Sequence, residues 1–212
     1  MGTMSVEVPE IDQLLAMTSP ARYGDELPDE GSRGGALHLS SVFPAISSAI
    51  GHPIPTAIHA DPKRLQEALG LPDARSAVVV LVDGLGYWNI NMRLGHSPYL
   101  RSLMADSVNQ RPIATCMPST TVAAMSTFGT GTCPGLTGMT GYTQLNPDNG
   151  EICQLISFKN APAPLKLQRQ PTIFERLAEQ DVRVTSSGLP KFAFSALTQA
   201  ALRGSDLSLI HI

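Results

Sequence analysis

The stretch CMPSTTVAAMSTFGTGTCPG, residues 116–135, sets two threonines directly after a Pro-Ser turn and ahead of an apolar run that closes in Gly, Thr and Pro. A hydroxyl at the junction of an extended segment and a helix meets unpaired first-turn N–H groups and the positive end of the helix dipole. That setting favours a phosphoryl or other anionic group, and Thr120 or Thr121 could attack what the helix end binds. Either could equally be an N-cap, since Ser and Thr are ordinary there and capping alone accounts for one hydroxyl. A second candidate lies upstream, where Asp83 ends the run SAVVVLVDG, residues 76–84. A carboxylate at the carboxyl end of a strand in an open α/β sheet stands where ligands bind; capping a turn with Gly84 is the plainer alternative. A strand-end Asp and a later junction Thr could together bring a metal-binding carboxylate beside a hydroxyl nucleophile.

The elements that must position these groups follow from local pattern. The run at 76–84 is β-branched and apolar without polar alternation, which predicts a strand covered on both faces, inside a parallel sheet with helices on either side. TTVAAMSTFGTG predicts a helix over about 121–128, bounded by Gly129 and Gly131. Upstream, LSSVFPAISSAIG spaces Val42, Ile46 and Ile50 four apart, a short amphipathic helix stopped by Gly51 despite Pro44 near its start. DPKRLQEALGLP predicts a second helix, with Asp61 as N-cap, Pro62 in the first turn and Gly70 at the end. A third is expected around 97–105, followed by the extended segment NQRPIATCM up to Pro118. Residues 18–35 are rich in Pro, Gly and charge with no apolar period, so 1–35 is expected to be a loosely ordered arm and the domain to begin at 36. GLG at 84–86 makes a poor dinucleotide loop, because no third glycine follows and the acid precedes the glycines.

Composition narrows the classes further. With 212 residues, 42% hydrophobic and 16% charged, the chain can bury one core and is expected to be a soluble globular domain. A formal charge of −3 with scattered Lys and Arg excludes an electrostatic nucleic-acid binder and an acidic-lipid binder. Cys116, Cys133 and Cys153 lack C-x-x-C spacing, so they are expected to be buried thiols in a reducing compartment. The N-terminus has neither a basic start nor an apolar h-region, and no segment runs eighteen apolar residues. The expected location is cytoplasmic, with no membrane partner.

The pattern VVVLVDGLG, then PSTT, then GTGTCPGLTG resembles the alkaline-phosphatase superfamily, specifically its nucleotide pyrophosphatase/phosphodiesterase branch. In that branch a strand-end Asp-Gly is followed by Pro-x-x-Thr, Thr-Gly and Pro-x-x-His-Gly, and Pro118, Thr121, Thr130, Gly131, Pro134 and Gly138 fall on those positions. The resemblance makes Thr121 the nucleophile and Thr120 its neighbour. It extends through QPTIFERLAEQDVRVTSSGLP, residues 170–190, as a helix opened by Pro171 and then a strand, and covers most of 36–206.

The resemblance implies an α/β/α sandwich with a mostly parallel central sheet and a two-metal hydrolysis of a small phosphoester or nucleotide, commonly with zinc. Asp83 and Thr121 would ligate one metal, and Thr121, deprotonated there, would attack phosphorus to give a phosphothreonine that water then releases. A phosphomonoesterase or phosphotransferase on the same scaffold, or a non-catalytic anion-binding fragment, are the alternatives. A sulfatase fits less well, since CMPST has Thr where its Cys-x-Pro-x-Arg motif has Arg. Two positions depart from the branch: Ala124 stands where Asn often holds a phosphate oxygen, and Thr137 replaces the His of Pro-x-x-His-Gly. The later Asp-x-x-x-His, Asp-His and final His are absent, and His38, His52, His59 and His96 are expected in solvent-facing, structural or turn settings. One carboxylate and one hydroxyl do not hold two ions, so the chain is expected to be the N-terminal part of one catalytic domain, truncated at its C-terminus and inactive. LSLIHI, residues 207–212, matches the translated end of a transposon adapter used in sequencing libraries, and is expected to be adapter-derived, His211 included; a short apolar strand is the alternative.

Overall fold

Proline, glycine and hydroxyl residues set the helix ends of this chain. In the computed structural model, which describes residues 37–105 and 113–209, α1 (Val42–Ala49) packs against α2 (Pro62–Ala68). α2 starts as expected: the Asp61 carboxylate accepts the Arg64 N–H at 3.1 Å, and Pro62 occupies the first turn. α1 buries a different face from the expected one. Val42, Ile46 and Ile50 are half-buried, while Pro44, Ala45, Ser47, Ser48 and Ala49 are fully buried. Small side chains let the two helices approach, and the serines keep their polar atoms paired. Ser47 Oγ donates to the Pro44 carbonyl at 2.7 Å and accepts the Ile54 N–H, and Ser48 Oγ donates to Gln66 Oε1 at 2.8 Å.

The run at 76–84 is the main correction. Residues 76–82 join no strand among the described residues, and Val78 is 92% and Val80 79% exposed. An interior strand needs hydrogen-bonded neighbours at its edges and apolar cover on both faces. Here both faces are open, so the segment is unpaired chain leading into a turn at Asp83 and Gly84, before α3 (Tyr87–Asn91) and α4 (Pro98–Met104). The arm at 1–35, residues 109–112 of the expected extended segment, and His211 lie outside the described residues.

The helix after the Pro-Ser turn, α5 (Thr121–Thr130), occupies the centre. It runs two residues beyond the expected end, through Gly129, and stops at Gly131 with φ 63°. The positive φ is what a glycine supplies at a helix C-terminus. α5 contacts α1, α6 (Pro134–Thr137), α8 (Ile173–Ala178) and α9 (Ala196–Ala201). Its Val122 is buried with Met139, Cys153, Leu155, Leu197 and Ala200. Each such aliphatic side chain contributes about 1.5–3 kcal/mol on burial, so the position of the α5 N-terminus is fixed by the core. A second cluster joins Ile54, Ile173 and Leu177, and Phe43 packs tilted against Phe128 and edge-on to Phe174, at 4.3 and 4.7 Å between centroids.

Two small sheets complete the described structure. β1 (Thr143–Leu145) and β2 (Ile152–Gln154) form an antiparallel hairpin, and α7 (Pro164–Leu167) follows it. α8 opens on a capping box, in which Thr172 Oγ1 accepts the Glu175 N–H at 3.0 Å and the Glu175 carboxylate accepts the Thr172 N–H at 2.8 Å. The strand expected after it forms as β3 (Thr185–Gly188). It pairs in parallel with β4 (Asp206–Leu209), Thr185 opposite Asp206 and Gly188 opposite Leu209. The connection between them carries α9, the crossover that a parallel pair requires. The backbone of residues 207–209, expected to lie outside the domain, forms part of this pair.

Candidate active site

Thr120 and Thr121 divide the two roles that the sequence leaves open. Thr120 has extended backbone, its hydroxyl accepts the Ala123 N–H at 3.3 Å, and its carbonyl takes the first intrahelical bond, from Ala124 at 2.8 Å. That is the geometry of an N-cap. Thr121, the first helical residue, sends its hydroxyl elsewhere. Its Oγ1 lies 3.3 Å from Asp83 Oδ2, donating, and 3.0 Å from the Tyr142 hydroxyl. Replacing Thr120 with Ala should therefore lower stability by about 1 kcal/mol and leave the Asp83 and Tyr142 partners of Thr121 in place. Denaturant unfolding of the variant, beside its phosphorylation rate, checks both expectations.

The three side chains come from separate stretches of chain. Asp83 follows the unpaired run and is exposed, Thr121 is half-buried at the head of α5, and Tyr142 stands just before β1 with 47% of its surface exposed. Tyr142 is tied to the core through its backbone, its carbonyl accepting the N–H of the fully buried Leu155 at 2.7 Å. The far end of α5 is pinned as well, where Thr56 Oγ1 donates to the Gly131 carbonyl at 2.8 Å. A hydroxyl with an adjacent carboxylate, opening on solvent at the first turn of a ten-residue helix, can receive an anionic ester and attack it.

Neighbouring groups fill other roles. Burial pushes the Cys116 thiol above its ordinary value. Thr137, in place of the expected His, is buried; it donates to the Pro134 carbonyl at 3.2 Å and accepts the Met139 N–H at 3.3 Å, shaping the turn after α6. His38 and His59 are buried, not solvent-facing. Desolvation holds His38 below its ordinary value against a backbone hydrogen bond at Thr115, and His59 Nε2 lies 2.9 Å from Ser40 Oγ. His52 Nδ1 is 3.1 Å from Gln180 Oε1, and His96 closes a short 3-10 turn. Among the described residues, no group of three or more His, Cys, Asp and Glu side chains comes together to hold a metal ion.

A family model described as type I phosphodiesterase / nucleotide pyrophosphatase matches residues 77–203, more than half of the chain. The chain belongs to this family. The match takes in Asp83, Thr121 and Tyr142, and it makes the chain a member of a family of phosphoester hydrolases acting on small phosphoester or nucleotide substrates. No curated protein and no solved structure matches the chain. Among the described residues, no helix of this phosphodiesterase-family chain is long and apolar enough to cross a membrane.

Sequence reasoning missed Tyr142. One of four tyrosines, it sits in GMTGYTQL at no spacing that signals chemistry. The bond between its carbonyl and Leu155, thirteen residues on, continues the β1–β2 hairpin and places its phenol beside Thr121.

Proposed function

We propose that this chain carries the nucleophile side of a phosphoester hydrolase of phosphodiesterase or nucleotide pyrophosphatase type, with Thr121 as the attacking residue. The supporting observation is the 3.3 Å approach of Thr121 Oγ1 to Asp83 Oδ2 across 38 residues of sequence, while Thr120 alone serves as the cap. The Thr121 proton passes to Asp83 as the Oγ1–P bond forms and the bond from phosphorus to the leaving oxygen breaks. The leaving oxygen is protonated from solvent. Phosphoryl oxygens carrying the developing charge face the α5 N-terminus, where the N–H groups of Thr121 and Val122 precede the first intrahelical bond. Water then cleaves the phosphothreonine, releasing phosphate or a phosphate monoester and restoring the hydroxyl.

A divalent ion, by family resemblance zinc, would lower the pKa of the threonine hydroxyl and screen the phosphoryl charge. Asp83 and Thr121 would be its ligands on this chain. Two oxygens fall short of the donors that such an ion takes, so the described residues form part of a metal site and no step above depends on one. Slow turnover by the chain alone follows, and a single phosphorylation event is the informative readout. The fold proposed around the site is the α/β/α sandwich with a mostly parallel sheet over residues 36–206, by family resemblance. Three free thiols suit a reducing location such as the cytoplasm.

The test is a burst of 4-nitrophenolate from bis(4-nitrophenyl) phosphate, followed with the chain as it stands and with Asp83→Asn. Asn keeps the shape but cannot take the proton, so the burst rate should fall about 100-fold. An unchanged burst would remove Asp83 from the mechanism. Phosphate binding with no burst at all would mark a non-catalytic anion-binding fragment instead.

A further inference from the structure

Thr121 has one hydroxyl proton and two neighbours within hydrogen-bond reach. A carboxylate can only accept, so that proton goes to Asp83 Oδ2. The phenol 3.0 Å from the same oxygen is then left as the donor, Tyr142 O–H to Thr121 Oγ1. The three groups form a directed chain in which the hydroxyl gives to Asp83 and receives from Tyr142.

We propose that Tyr142 is a further catalytic residue, a hydrogen-bond donor to the attacking oxygen. The inference rests on Thr121 being the nucleophile. As the proton leaves Oγ1 for Asp83, negative charge develops on Oγ1, and a donor already aimed at that oxygen stabilises it without reorganisation. Tyr142 keeps its own proton throughout. Its second effect is orientation: with one lone pair of Oγ1 held by the phenol and the proton held by Asp83, the remaining lone pair is the one that faces an incoming phosphorus. The phenol can do this because the Tyr142 backbone is bonded to Leu155, which shares a buried cluster with Val122, the residue after Thr121. Donor and nucleophile are thus referenced to the same piece of core.

The alternative role for Tyr142 is to cover the rim of the hairpin, and Tyr142→Phe separates the two because it removes only the oxygen of a half-exposed ring. The probe is a fluorophosphonate, whose fluoride departs readily. Thr121 Oγ1 bonds to phosphorus, the P–F bond breaks, fluoride leaves, and the proton passes through Asp83 to solvent. Adduct formation, located by peptide mass mapping, is timed for the wild-type chain, Tyr142→Phe and Thr121→Val, with thermal unfolding of each. Tyr142→Phe should label Thr121 about 10- to 100-fold more slowly, with an unchanged unfolding midpoint. Labelling at the wild-type rate overturns the role of Tyr142 and leaves that of Thr121 standing. A slower rate accompanied by a lowered unfolding midpoint also overturns it, since that is what lost packing produces. If the wild-type chain takes no label on Thr121, or Thr121→Val labels as fast, the nucleophile assignment falls and the role of Tyr142 with it.

Discussion

Thr121→Val is expected to lower phosphorylation of the chain by an activated phosphodiester at least about 1,000-fold, to the level of background reaction. The size of the effect follows from what is removed, the oxygen proposed to attack phosphorus. Val keeps the β-branched shape at the first position of α5, and Thr121 makes no capping bond, so the helix retains its start. Thr120→Ala supplies the contrast, because it removes a cap and leaves the Asp83–Thr121–Tyr142 chain in place. Burst amplitude and rate for the two variants side by side check the expectation. Comparable losses in both would mean that the helix start, not a particular hydroxyl, is what the reaction needs.

The largest expected effect on stability lies at the other end of the same helix. A Cβ added at Gly129 would run into the carbonyl oxygen of Ala201 and come within 2.9 Å of its carbon, both backbone atoms of α9. Backbone cannot swing aside as a side chain can, so α5 and α9 must separate, opening the cluster that Val122 shares with Leu197 and Ala200. Gly129→Ala should therefore cost about 3 kcal/mol or more, despite the intrinsic gain in helix propensity over Gly. Gly135→Ala, where nothing lies within 4 Å of the added carbon, is the matched control and should change little. Denaturant midpoints measure both. A small shift at Gly129 would show that the α5–α9 contact is looser than the structure has it. Because that contact locates the helix whose first residue is Thr121, a folded Gly129→Ala chain should also lose phosphorylation rate.

What was legible in the sequence was local. Asp61 and Pro62 act within reach of their own neighbours, so type and spacing sufficed to place α2, whereas α8 was expected from the resemblance with Pro171 at its start and its Thr172–Glu175 capping box went unread. Asp83 and Thr121 were singled out because a hydroxyl and a carboxylate at element ends are chemically conspicuous, although their mutual approach could not be read from spacing. Features that depend on remote partners were hidden. The valine run at 76–82 has the composition of a buried strand, but composition says nothing of what pairs with its edges, and among the described residues nothing does. The buried face of α1 was masked because Ser47 and Ser48 count as polar in any pattern, yet their hydroxyls are paired inside the fold. The sequence pattern makes Gly129 a helix boundary, whereas its lack of a side chain serves the close approach of α9 from inside the helix. Tyr142 depends on a hairpin bond to Leu155 and could be found only once that hairpin was closed.

The most direct test of the central claim is to locate the covalent adduct. The wild-type chain, quenched in acid after brief exposure to bis(4-nitrophenyl) phosphate, is digested and the peptide spanning residues 113–139 is sequenced by tandem mass spectrometry. The account predicts one phosphoryl adduct, on Thr121. An adduct on Thr120, Cys116 or any residue outside this peptide, with Thr121 unmodified, would contradict it.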